Sequence, residues 1–193
     1  MDFWTGEEFR KFIDSVMNKR LSYMAFMTLY WTGMRLGELL ALNPKDVDLK
    51  KRTISITKSY QRLGKKDVIT PPKTPKSKRV ITIPEFLAAD IKDYMDSLYD
   101  LQEDDRLFPI TKYYLEHEMQ RGIKESGVKR IRVHDLRHSH ASMLIELGFS
   151  PLEIANRLGH EKVETTLNTY AHLYPNKQTK LAERLDSEYK GDL

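Results

Sequence analysis

The chain has 193 residues, 40% hydrophobic and 31% charged, with a net charge of +4, which fits one domain, or one large and one small, around a substantial core. No apolar run approaches the ~18 residues of a membrane span, and Met1-Asp2-Phe3-Trp4-Thr5 lacks the basic and apolar regions of a signal peptide. The absence of cysteine excludes disulfides and Cys-based zinc sites and fits a reducing, cytoplasmic setting.

Thr5-Gly6-Glu7-Glu8 predicts a capping box, with Phe9, Phe12, Ile13 and Val16 following at helical spacing. A more apolar helix is expected over 21–31, ending near Gly33, and a short one holds Leu36, Leu39 and Leu40 ahead of Asn43-Pro44. The period then changes. Residues 53–57 alternate with period two, 80–83 do so more loosely, and Val68-Ile69-Thr70 lies between them. With Gly64 and Pro71-Pro72 as breaks, these segments predict one small three-stranded antiparallel sheet with basic turns. Helical periodicity returns over 85–98, 112–125, 134–147, 151–158, 163–170 and 177–189, with Gly148, Pro151 and Gly159 placed as stops and starts. The expected class is α+β, mainly helical.

Charge is segregated along the chain. Lys58 to Arg79 holds eight basic residues against Asp67, whereas Asp90 to Asp105 holds seven acidic residues against Lys92. That division favours one polyanion-facing surface and one solvated acidic surface.

Three clusters of residues carry chemistry. His134 and Arg137, three apart, share a helical face, and an arginine beside a histidine suits an anionic oxygen cage because guanidinium offers forked donors. Arg35, in Thr-Gly-Met-Arg-Leu-Gly-Glu-Leu-Leu, sits at the junction of two apolar helices and needs an anionic partner. That partner is either Glu38, one turn later, or a phosphate in a cleft. Tyr170, beyond Leu-Gly-His (158–160), is a candidate nucleophile for that phosphate. The set points to phosphoryl transfer on DNA.

Two other readings compete. His134, Asp135 and His138 come close to the His-Glu-x-x-His zinc pattern, but Arg137 on the same face would repel a dication. Residues 151–159 followed by 163–170 read as a helix-turn-helix, which would leave Arg35, the basic hairpin and His134-x-x-Arg137 unexplained. His117, His138, His140, His172, Tyr60, Tyr113 and Tyr114 read as surface, packing or DNA-contact residues.

Thr-Gly-Met-Arg-Leu-Gly-Glu-Leu-Leu-Ala-Leu, Lys-Thr-Pro-Lys-Ser-Lys-Arg, His-Asp-Leu-Arg-His-Ser-His-Ala-Ser, Leu-Gly-His and Thr-Tyr-Ala-His occur in that order. Together they resemble the catalytic domain of the tyrosine recombinases, specifically the phage and mobile-element integrases, from about Phe3 to Leu173. Type IB topoisomerases share the chemistry, but the last two contexts resemble integrases. The resemblance implies a mainly helical catalytic domain with a small sheet, acting on double-stranded DNA attachment sites through a covalent 3′-phosphotyrosine. It implies Arg35 and Arg137 as the catalytic arginines, His134 and His160 as their histidine partners, and Tyr170 as the nucleophile. A gapless match places the catalytic lysine at Lys73, while counting back from Pro84 gives Lys76. No cofactor or metal is implied.

The resemblance also divides the chain into a catalytic domain over 1–174 and a tail helix over 175–193, where Leu181, Ala182 and Leu185 form a narrow apolar stripe. In similar integrases a core-binding domain precedes this region, so the chain reads as a fragment. It is expected to be monomeric alone and tetrameric on DNA within the whole protein, its tail docking in cis or on a neighbouring protomer.

Overall fold

A computed structural model of the protein describes residues 2–64, 66–72, 74–174 and 178–190. Helix α1 (Gly6–Val16) begins as its sequence predicts. The Thr5 hydroxyl accepts the Glu8 amide at 3.3 Å, and the Glu8 carboxylate accepts the Thr5 amide at 2.8 Å. Its buried face, Phe9, Phe12, Ile13 and Val16, packs on α5 (Lys112–Ser126). Gly122 permits that approach, since a Cβ there would lie 2.6 Å from the Phe12 ring.

Helix α2 (Arg20–Thr32) is buried on nearly every side because α1, α4 (Glu85–Asp96) and α6 (Asp135–Glu146) all pack on it. It ends at Gly33, whose φ of +65° a side chain would strain. The short α3 (Leu36–Leu40) follows.

The expected small three-stranded antiparallel sheet is present, but one of its strands is not the one expected. β1 (Val47–Asp48), β2 (Thr53–Ile56) and β5 (Arg79–Thr82) form one antiparallel sheet in the order β1-β2-β5, with Ile54 opposite Ile81. β3 (Ser59–Leu63) and β4 (Lys66–Thr70) form a separate hairpin, so Val68-Ile69-Thr70 does not join β2 and β5. Pro71 and Pro72 explain the division, because they offer no amide donors and end β4 before the chain returns to the sheet. Ile69 is 49% exposed, so the alternation here marks a projecting ribbon rather than a buried face. Within the hairpin Tyr60, near the root, donates to Asp67, near the turn, at 2.7 Å, and the Arg106 guanidinium lies 4.4 Å from the centre of the Tyr60 ring.

Two apolar clusters result. The larger runs from Trp4 to Leu136 and joins α1–α6 to the three-stranded sheet. The smaller comprises Ala141, Leu144, Ile145, Ile154, Leu158 and Tyr170, where α6 meets α7 (Pro151–Leu158) and α8 (Val163–Tyr170). Helix α6 therefore serves both, Leu136 in the first and Ala141 in the second. Beyond it α9 (Gln178–Lys190) carries an exposed Leu185; the Leu181 side chain of the expected stripe lies outside the described residues.

Candidate active site

The turn between α2 and α3 positions Arg35. Its extended backbone caps α3, its amide donates to Glu38 Oε2 at 2.8 Å, and its Nη1 donates to Glu38 Oε1 at 3.0 Å. Arg79, at the start of β5, grips the same carboxylate with two nitrogens, at 3.1 and 2.9 Å. The Arg79 side chain is 7% exposed and that of Arg35 is 39% exposed. Arg79 is thus the buried partner of Glu38, while Arg35 commits one nitrogen and leaves the rest of its fork to the cleft. Burial pushes the Glu38 carboxyl up, but the hydrogen bonds and charges of Arg79 and Arg35 outweigh it and hold the carboxyl below its usual value.

Arg137 is placed differently. It is buried in α6, with Nη1 donating to the Gly33 carbonyl and Nη2 to the Leu158 carbonyl, both at 2.7 Å. Those carbonyls close α2 and α7, so the guanidinium sits where two negative helix ends meet. Among the described residues no carboxylate lies within ion-pair distance of it. Burial, then Arg35 and Arg79, pull it down to about 9, which still leaves it a cation at neutral pH. A buried cation satisfied only by carbonyls is a standing site for an anion.

The remaining groups surround that position. His134 stands at the N-cap position of α6 with part of its ring open to solvent; the burial of the remainder, and then Arg137, push it below the usual histidine value against the pull of Asp135. His160 follows Gly159, and its Nδ1 lies 2.8 Å from the Thr166 hydroxyl of α8. Burial, with Arg137, Arg35 and Arg79 behind it, pushes His160 down to about 4, so its ring is neutral at pH 7. Arg35 lines two cavities. One, of about 300 Å³, reaches Glu38, Pro72, Ser77 and His160. The other, of about 1040 Å³, reaches Tyr60, Arg62, Lys112, Arg132 and His134. Common to both cavities, Arg35 lies close enough to His134, Arg137 and His160 for its charge to disfavour the cationic form of each.

Tyr170 ends α8 and is 1% exposed, with its hydroxyl 2.8 Å from His138 Nδ1. Burial raises the phenol to about 12 against the opposing charge of Arg137. Lys73 lies outside the described residues. Lys76 donates to the Glu161 carbonyl at 2.9 Å, which sets it beside the His160 turn.

The structure therefore gathers Arg35, His134, Arg137, His160 and Tyr170 about one region. Two neighbours had no such standing in the sequence. Arg79 is indistinguishable there from the other cations of its basic run, and its pairing with Glu38 spans 41 positions. His138 did leave a trace, since it stands one helical turn from His134, but it entered only as a packing residue or as part of the rival zinc pattern, not as a partner of Tyr170. His140 is a packing residue as expected, accepting from Arg157 at 2.9 Å and pushed down to about 3 by burial. The His134 and His138 rings meet edge to face at 5.4 Å, and no group of three or more metal-ligating side chains occurs among the described residues.

Residues 3–177 match the profile described as the phage integrase family. Among curated proteins, the ICEBs1 integrase of Bacillus subtilis is 36% identical over 200 residues, covering 96% of this chain and 54% of that protein. The integrase of Staphylococcus phage L54a is 33% identical, covering 80% of this chain and 49% of its own length. The chain thus spans about half the length of the curated relatives it matches. Among solved structures, the Tn1549 transposon integrase (residues 82–397) in complex with circular intermediate DNA superposes with a TM-score of 0.81 at 20% identity, covering 97% of this chain and 67% of that one. The catalytic domain of bacteriophage HP1 integrase gives 0.67 at 21% identity, covering 97% and 96%.

Proposed function

The chain belongs to the phage integrase family, and from that premise we propose that it is the catalytic part of a site-specific recombinase. It cuts and rejoins double-stranded DNA attachment sites of a mobile element through a 3′-phosphotyrosine. The observation that carries this reading is Arg137, a buried cation with no carboxylate within ion-pair distance among the described residues, beside a half-exposed Arg35.

Tyr170 attacks the scissile phosphate while Arg35 and Arg137 hold its non-bridging oxygens and stabilise the charge that develops there. His160, with Nδ1 engaged by Thr166, presents its other nitrogen as a donor. His134 handles protons at the same phosphate, and Lys73, or alternatively Lys76, protonates the departing 5′ oxygen. The phosphotyrosine conserves the bond, so a second DNA end can displace Tyr170 without ATP. Two guanidiniums supply the charge, and the reaction proceeds without a metal.

Residues 1–174 form the catalytic domain and 175–193 the tail, in a cytoplasmic protein that is monomeric as this chain and tetrameric on DNA when whole. No helix among the described residues is long and apolar enough to cross a membrane. Tyr170→Phe is expected to abolish the covalent adduct on a nicked suicide substrate while leaving noncovalent binding intact, and adduct formation by the unsubstituted chain is expected to persist in EDTA. An undiminished adduct in the Phe variant refutes the nucleophile, and loss on chelation restored by zinc refutes the metal-free chemistry.

A further inference from the structure

Among the described residues the Tyr170 hydroxyl has one hydrogen-bond partner, Nδ1 of His138 at 2.8 Å. His134, the histidine that the motif puts forward, instead lines the larger cavity with Arg35. His134 and His138 are four apart on one face of α6, and they divide between the phosphate side and the phenol side of the site. Resting on the recombinase reading above, we infer that His138 is a catalytic residue, the proton acceptor of the nucleophile. Its Nδ1 aims the phenol beforehand and receives the phenolic proton as Oη attacks phosphorus.

The protonation states on both sides of this bond agree with that assignment. The groups facing His138 are His134, Asp135 and Arg137 on its own helix, Arg132 from the preceding loop, Tyr170 from α8 and His160 from the turn between α7 and α8. Burial, then His134, hold the imidazole below the usual histidine value, with Arg137 and Arg132 adding to them and Asp135 opposing. In the Nε2–H tautomer of the uncharged ring, which the proposal requires, the Nδ1 lone pair is free to accept. The phenol, raised to about 12, keeps its proton at rest. No phenolate stands waiting; the proton leaves only as the phosphorus bond forms.

The Oη–H bond breaks, its proton passes to Nδ1, and an oxygen electron pair forms the Oη–P bond. The P–O5′ bond breaks with its pair on the 5′ oxygen, which takes a proton from a lysine ammonium. During religation the imidazolium returns its proton to the departing phenolate, as microscopic reversibility requires.

Single-turnover adduct formation on the nicked substrate, measured from pH 5 to 8, tests this. His138→Ala removes the acceptor, while His138→Asn keeps an amide oxygen near the Nδ1 position and guards against a folding failure in the alanine variant. The expected result is a fall of about 10²-fold or more in the alanine variant, with a smaller fall in the asparagine variant. Both variants also lose the part of the acid-side decline that His138 contributes below pH 6.5, and His134→Asn retains that part. A faster adduct in His138→Ala makes the bond a restraint on the tyrosine and overturns the inference. Unchanged rates and pH profiles in both His138 variants overturn it alone, whereas no adduct from the unsubstituted chain overturns the tyrosine nucleophile together with it.

Discussion

The larger apolar cluster and the smaller one hold opposite halves of the candidate chemistry. The larger, from Trp4 to Leu136, fixes the turn bearing Arg35, the strand bearing Arg79 and the first turn of α6. The smaller, six buried residues at the junction of α6, α7 and α8, holds the Tyr170 phenol. Cations that bind an anion work best when they do not rearrange, so a large rigid body suits them. An attacking group must be aimed, and a small unit allows its aim to be set with little effect on the rest.

Truncation in each cluster should separate these roles. Phe12→Ala, at the centre of the larger cluster, is expected to cost about 3–5 kcal/mol in urea unfolding, a large part of the about 5–15 kcal/mol that holds a domain together. Ile154→Ala, in the smaller cluster, is expected to cost about 2–3 kcal/mol. Its loss of adduct should nevertheless exceed the loss of folded protein measured by circular dichroism. Equal losses would mean that the two clusters act as one.

Glu38 sharpens the contrast through pH. Its folded carboxyl is held below 4.5, although burial alone would raise it, because Arg79 and then Arg35 outweigh that burial. A depressed carboxylate contributes stability that is complete above its unfolded value and disappears as pH falls through the folded one. Glu38→Gln is therefore expected to be about 2 kcal/mol less stable at pH 7, since Arg79 stays buried without its counterion. The gap should narrow as pH drops below 4.5, followed by urea midpoints at several pH values. At the small end, Leu185→Asp lies outside both clusters at an exposed position, so its effect should stay within about 0.5 kcal/mol.

How much of this was legible depended on the range of the interaction. Thr5 with Glu8, Pro151 and Gly159 set helix ends through contacts within one turn, and those ends appear where the sequence puts them. The order of Arg35, His134, Arg137, His160 and Tyr170 was legible because each sits in a distinctive local context. The split of the strands into a sheet and a hairpin was not, since β1 is two residues long and alternation does not reveal which strand is the partner. The bonds from Arg79 to Glu38 and from His138 to Tyr170 were hidden for the same reason, spanning 41 and 32 positions. Long-range pairing leaves no period in the chain.

The guanidinium of Arg137 joins the last carbonyls of α2 and α7, and that geometry ties two properties that are ordinarily measured apart. An oxyanion held there, as the proposed function requires, would bind the folded chain alone, because unfolding disperses the two helix ends that hold the cation. Occupancy and heat resistance are then one equilibrium, linked through RT ln(1 + [L]/Kd). On the proposed function, a phosphate bound at Arg137 would stabilise the folded chain by its occupancy, so substrate capture and resistance to heat would rise together.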